Sequence, residues 1–282
     1  MITVMTKRLL TIVLMSIMGL TTWAQPQNYK PLMDQAKSHF DRKEYAKAID
    51  CYEKVVAELK GTEYESLVPT VRNSIAINNL YLGVAALKEK DYPKAKDFFD
   101  KAIRDAKLES KTYYMAHSWM GQWNSVQSLS IRTNRGDLEK SLQLSLEAER
   151  YFDLAKAPEK RLNEQLARAC VLQELSRFDE SEALLKYIMA ECEGISDRNL
   201  VMGKAAFHLG RIEMLSEKFQ LAVQHLEQGY NLCAKDSTID AKSYAHLCAD
   251  KMSRLFRAHI PDDDKAALWE QRAKELESQS VK

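Results

Sequence analysis

The sequence predicts an all-α chain built from repeated helical hairpins, and three observations predict it. Beyond residue 25, apolar residues recur at spacings of three and four, as in Leu80, Val84, Leu87 or Leu162, Leu166, Ala169, and do not alternate by two as strands require. Glycine and proline number only 9 and 6 in 282 residues, too few for the turns of a β-sandwich or barrel. Seven of them (Gly61, Pro69, Pro93, Gly136, Pro158, Gly194, Pro261) punctuate stretches of about 12–20 residues, the length of ordinary amphipathic helices. At 45% hydrophobic and 29% charged residues, the chain has the composition of a folded protein.

Residues 1–24 differ in kind from the rest. Lys7 and Arg8 precede an apolar run from Leu9 to Leu20, and Thr22-Trp23-Ala24 ends in a small-x-small pattern before Gln25. Basic, apolar and small-residue segments in that order read as a secretory signal peptide cut between Ala24 and Gln25. As a helix the apolar run rises only ~18 Å, short of the ~30 Å hydrocarbon core of a bilayer. Losing Lys7 and Arg8 moves the formal charge from +1 to −1, a balance that offers no net field to nucleic acid or anionic lipid. No later stretch approaches ~18 uninterrupted apolar residues. The mature chain is therefore expected to be soluble, without membrane insertion or nucleic-acid partners, in a bacterial periplasm or at the cell surface.

The helices that follow come in similar pairs. Tyr45, Ala48, Tyr52 and Val55 align with Tyr92, Ala95, Phe99 and Ala102: an aromatic anchor, a small residue three later, an aromatic four beyond that, then a small or branched residue. The frame also fits Phe178, Ser181, Leu185, Ile188 and Phe219, Ala222, Leu226, Gly229, and more loosely Leu138, Ser141, Ser145, Ala148. Nine residues before an anchor stands a small residue: Ala36, Gly83, Ala169 and Gly210. Small residues let paired helices touch, while aromatics fill the hollow between one pair and the next.

These residues resemble the tetratricopeptide repeat over most of 30–235. The resemblance implies a right-handed α–α superhelix of about six hairpins across residues 25–282. Its units fall near 28–60, 66–108, 112–156, 158–193, 197–235 and 238–279, the last a polar-faced cap. The anchors are spaced 47, 46, 40 and 41 residues apart. That exceeds the family's usual 34 and implies longer helices or connections. The resemblance also implies a concave groove lined by the first helix of each pair. Carried over position by position, the groove takes Lys37 from the first unit, Trp123 from the third, and Lys204, Phe207 and Arg211 from the fifth. Trp, Phe and Arg are residue types that dominate binding hot spots. The Lys and Asn set of the family's chaperone-tail receptors is not reproduced.

No signature of catalysis or cofactor binding is present: the sequence lacks Gly-x-Gly-x-x-Gly, Gly-x-x-x-x-Gly-Lys-Ser/Thr, Gly-x-Ser-x-Gly and His-Glu-x-x-His. The six histidines are scattered; only His246-x-Cys248 is tight, and two donors do not close a metal site. Asp262-Asp263-Asp264 reads as the cap of the helix after Pro261. An odd count of five cysteines leaves at least one unpaired. Cys233 and Cys248 fall on adjacent helices, where a bridge is one reading and buried free thiols the other. The chain is expected to carry no catalytic residue, metal or cofactor, and to act as a non-enzymatic scaffold binding a protein or peptide segment. Two other readings stay open: a sensor or regulatory module of a signalling system, and an enzyme or glycan-processing accessory whose site assembles in the groove. A Cys/His grouping is recognised by geometry, not by order in the chain.

Overall fold

Each sequence anchor is the first residue of a helix. The computed structural model describes residues 29–280; the leader and its cleavage residues Ala24 and Gln25 lie outside the described residues. The described residues form twelve α-helices in six successive hairpins. They are α1 (Tyr29–Asp41) with α2 (Tyr45–Leu59), α3 (Val68–Lys88) with α4 (Tyr92–Asp105), α5 (Lys111–Thr133) with α6 (Leu138–Leu154), α7 (Pro158–Glu174) with α8 (Phe178–Glu191), α9 (Arg198–Leu215) with α10 (Phe219–Cys233), and α11 (Ile239–Ala258) with α12 (Asp263–Ser280). No strand occurs among them, and none of these helices is long and apolar enough to cross a membrane.

The first helices of the first five hairpins end in one way. An N–H five residues on closes the last turn: Glu44 to His39 C=O (2.9 Å), Asp91 to Ala86 (2.9 Å), Gly136 to Ile131 (2.8 Å), Arg177 to Leu172 (2.8 Å) and Lys218 to Glu213 (2.8 Å). The residue before each donor is left-handed, with φ of 62°, 61°, 52°, 59° and 58° at Lys43, Lys90, Arg135, Ser176 and Glu217. The second helix then starts under a cap where the sequence supplies one: Asp91 Oδ1 accepts from the Lys94 N–H (3.2 Å), and Asp137 Oδ1 from the N–H groups of Glu139 and Lys140. Asp262 caps α12 in the same way, accepting from the Lys265 N–H at 3.0 Å.

Close packing follows the small residues. Ala48, Ala95, Ser141, Ser181 and Ala222 are fully buried, and one edge of the Phe99 ring lies against Gly83. The loosely matching third hairpin keeps the same register with one extra turn residue: Arg135 stands three before its anchor, where the others stand two before theirs. Ser128, ten before Leu138, therefore takes the small position. Its hydroxyl donates to the Ser141 carbonyl (2.9 Å) and receives in return, the Ser141 hydroxyl donating to the Ser128 carbonyl (3.0 Å). In the last hairpin Ser253 Oγ reaches the Ala266 carbonyl (3.0 Å), three residues into α12, although the anchor position there holds Asp263.

The helices form two compact units that part within α5, between Trp119 and Met120. The core of the first gathers Ala36, Ala48, Val55, Leu59, Val71 and Ile75. The second holds one cluster around Leu162, Leu185, Ile188 and Leu209, and another around Phe207, Leu226, Met252 and Trp269. Its interior also holds the Glu164 carboxylate, which accepts hydrogen bonds from the Ser125 and Ser145 hydroxyls while burial raises its pKa. All five cysteines are free thiols. The bridge between Cys233 and Cys248 does not form, because the two sulfurs serve different contacts: Cys233 Sγ sits over Gly203 of α9, and Cys248 Sγ over Gly229 of α10.

Candidate functional site

In the second unit the first helices α7, α9 and α11 are neighbours, and one face of α9 collects its most varied chemistry. Lys204, Phe207, His208 and Arg211 follow the i, i+3, i+4, i+7 spacing that puts side chains on one stripe of a helix. From α11, Tyr244 packs edge-on to both rings of that stripe, its centroid 5.5 Å from Phe207 and 6.0 Å from His208. Lys204 ion-pairs with Asp240 one turn earlier on α11, and its Nζ stands 5.3 Å above the Tyr244 ring. The Arg211 guanidinium lies 5.9 Å from the Phe207 ring, and no carboxylate among the described residues pairs with it. From α7, Cys170 brings its Sγ to 3.3 Å from His208 Nε2. Arg132 of α5 lies against Cys170 and holds Glu174 of α7 at 2.8 Å.

The electrostatics of this face are lopsided. His208 is only 5% exposed. Burial drives its pKa down to about 3, and Arg211, Arg132 and Lys204 push in the same direction. Burial likewise raises the Cys170 thiol, against the pull of Arg132 and Arg211. At neutral pH the pair is therefore a thiol beside a neutral imidazole, without the thiolate that a cysteine nucleophile needs. Tyr244 is pushed up to about 12, chiefly by burial, so its hydroxyl stays a hydrogen-bond donor. Three cations, two of them already paired with Asp240 and Glu174, leave Arg211 as the charge that, with a tyrosine hydroxyl, suits the face to acidic or hydrogen-bond-accepting groups.

Of the residues the sequence marks for binding, the structure brings together Lys204, Phe207 and Arg211. Phe207 has a changed role: at 5% exposure its ring belongs to the core beside Leu226 and Met252, and it supports Arg211 and Tyr244 from beneath. Trp123 is half-buried on α5, in the second unit. Lys37 is exposed on α1, in the first unit. His208, Tyr244 and Arg132 were not marked. The repeat frame would have placed His208 one turn from Lys204, but the unanchored last hairpin gave no register for Tyr244.

No family model matches the chain, and no curated protein matches it in sequence. Among solved structures it is similar to BtubC (BKLC) from P. vanneervenii, with 14% identity, a TM-score of 0.54, and coverage of 88% of this chain and 91% of that one. Two others are the C-terminal part of a TPR repeat-containing protein from Cytophaga hutchinsonii (13%, 0.46, 87% and 95%) and aspartyl phosphate phosphatase F from Bacillus subtilis (13%, 0.46, 96% and 76%). Six hairpins in the register of the repeat, together with the likeness to BtubC, define an all-α, TPR-like fold.

Proposed function

We propose that the chain is a non-enzymatic scaffold of a bacterial cell envelope that holds a segment of a partner protein on the α9 face. The observation that carries this reading is the Arg211 guanidinium, without a carboxylate partner among the described residues, braced on the buried Phe207 ring, against which Tyr244 packs. A half-buried cation already fixed by packing loses little side-chain entropy when it takes a carboxylate or carbonyl. An acidic or carbonyl-rich segment suits the face better than an apolar one. The signal-peptide pattern of residues 1–24 supports export. Affinity capture from the native envelope, comparing wild type with Arg211→Ala and Tyr244→Phe, tests the proposal. A partner retained by wild type and weakened about tenfold by Arg211→Ala is expected, the scale of one charge-assisted hydrogen bond. Equal retention by all three proteins refutes it.

The approach of Cys170 to His208 favours a second reading, an enzyme with Cys170 as nucleophile. Its thiol and imidazole both lie on the neutral side of their titrations, which argues against it. Alkylation by iodoacetamide at pH 7.5, slower at Cys170 than at a free cysteine, fits the scaffold; faster alkylation favours the enzyme.

A further inference from the structure

The first unit contains a pocket of about 390 Å³ between α3 and α5. That volume falls in the range of small-molecule sites, roughly 300–1,000 Å³. Its walls are apolar: Ile77, Tyr81 and Val84 from α3, Met115 and Trp119 from α5. Tyr81, whose ring stacks on Tyr45 at 4.7 Å, and Met115 still remain 45% and 41% exposed. Apart from the Tyr81 hydroxyl and the Trp119 indole N–H, the polar groups of the lining lie where α5 begins. The Thr112 side chain lines the pocket, is 5% exposed, and makes no hydrogen bond among the described residues. The Lys111 ammonium stands beside it without a carboxylate partner among the described residues. The first turn of α5 carries no acidic residue, so the positive end of the helix dipole adds to the same corner.

We propose that this pocket binds an amphiphile: an apolar chain seated against Ile77, Val84 and Met115, with an anionic head received by Lys111 and the Thr112 hydroxyl. The Thr112 hydroxyl spends no hydrogen bond within the described residues, so it can donate to a bound carboxylate. A polypeptide segment is the poorer occupant. It would bring backbone amides against walls that are mostly hydrocarbon, whereas an alkyl chain needs no partner there. The proposal is independent of partner binding at α9.

Calorimetric titration of the full chain with dodecanoate, below its micelle concentration, is expected to show one site per chain. Dodecyltrimethylammonium, with the same tail and the opposite charge, is expected to bind at least tenfold more weakly. Lys111→Gln, at an exposed position that leaves the fold intact, should weaken dodecanoate about tenfold. Ile77→Trp should fill the pocket and abolish binding; its thermal melt reports whether the variant is folded. Absence of binding up to about 1 mM dodecanoate, equal affinity for the two head groups, or an unchanged affinity in Lys111→Gln overturns the proposal. So does a leucine-rich peptide that titrates where dodecanoate does not, because the pocket would then belong to a protein partner.

Discussion

Gly83→Ala tests how closely α3 approaches α4. A Cβ placed on Gly83 would lie 2.5 Å from Phe99 Cε1 and 2.7 Å from Cδ1. Carbon atoms pack best at about 3.5–4.0 Å, so ring or helix must move by roughly 1 Å. The ring is fully buried and stacks on Trp119 at 6.2 Å, so it has no open space to move into. Two effects oppose each other. Alanine is about 1 kcal/mol the better helix former, while overpacking a tight interior costs about 1–3 kcal/mol. The clash is expected to win, leaving Gly83→Ala less stable than wild type by up to about 2 kcal/mol. In a Phe99→Leu background the ring edge is gone, and the alanine should become neutral or stabilising. The double-mutant cycle then gives a favourable coupling of about 1–2 kcal/mol. Urea unfolding followed by far-ultraviolet circular dichroism measures all four proteins, with hydrogen exchange in α3 and α4 locating the effect. A gain of ~1 kcal/mol from Gly83→Ala alone, or zero coupling, would show that the two helices do not meet at this glycine.

Three further outcomes are expected. Lys90→Gly relieves a left-handed residue at a cost in unfolded-chain entropy, and should raise stability by up to about 1 kcal/mol in thermal melts, whereas Lys90→Val should lower it. His208 has a folded pKa of about 3, below its unfolded value of 6.5, so the unfolded chain binds the extra proton. Its contribution is flat above pH 7 and destabilises progressively as pH falls from 6.5 towards 3, by up to about 1.4 kcal/mol per unit. The raised carboxyls of Glu149 and Glu164 act in the opposite sense, so the measurement is the difference in pH slope between wild type and His208→Gln; identical slopes refute the assignment. Glu164→Leu strands the Ser145 hydroxyl, while Ser125 keeps the Gly121 carbonyl at 3.2 Å, and should cost about 1–3 kcal/mol in urea unfolding, with Glu164→Gln costing less because it keeps an acceptor.

The anchors Tyr45, Tyr92, Leu138, Phe178 and Phe219 were legible because a helix pair must bring a small residue to its crossing, and that demand repeats along the chain at a period the sequence displays. The cap at Asp262 was legible in the same local way. Lys204 and Arg211 were placed on one face by the resemblance to the repeat. What the sequence could not carry depends on contacts between distant residues. Cys170 and His208 stand 38 positions apart and meet only because α7 and α9 lie side by side. Phe207 looked like a surface contact, since exposure is a property of what packs over a residue, and that is Tyr244 and the α10–α11 core. The fate of Cys233 and Cys248 turned on which glycine each sulfur faces. Periodicity is written into each helix singly; burial, proton affinity and the pocket beside Thr112 exist only once neighbouring helices exclude water from the space between them.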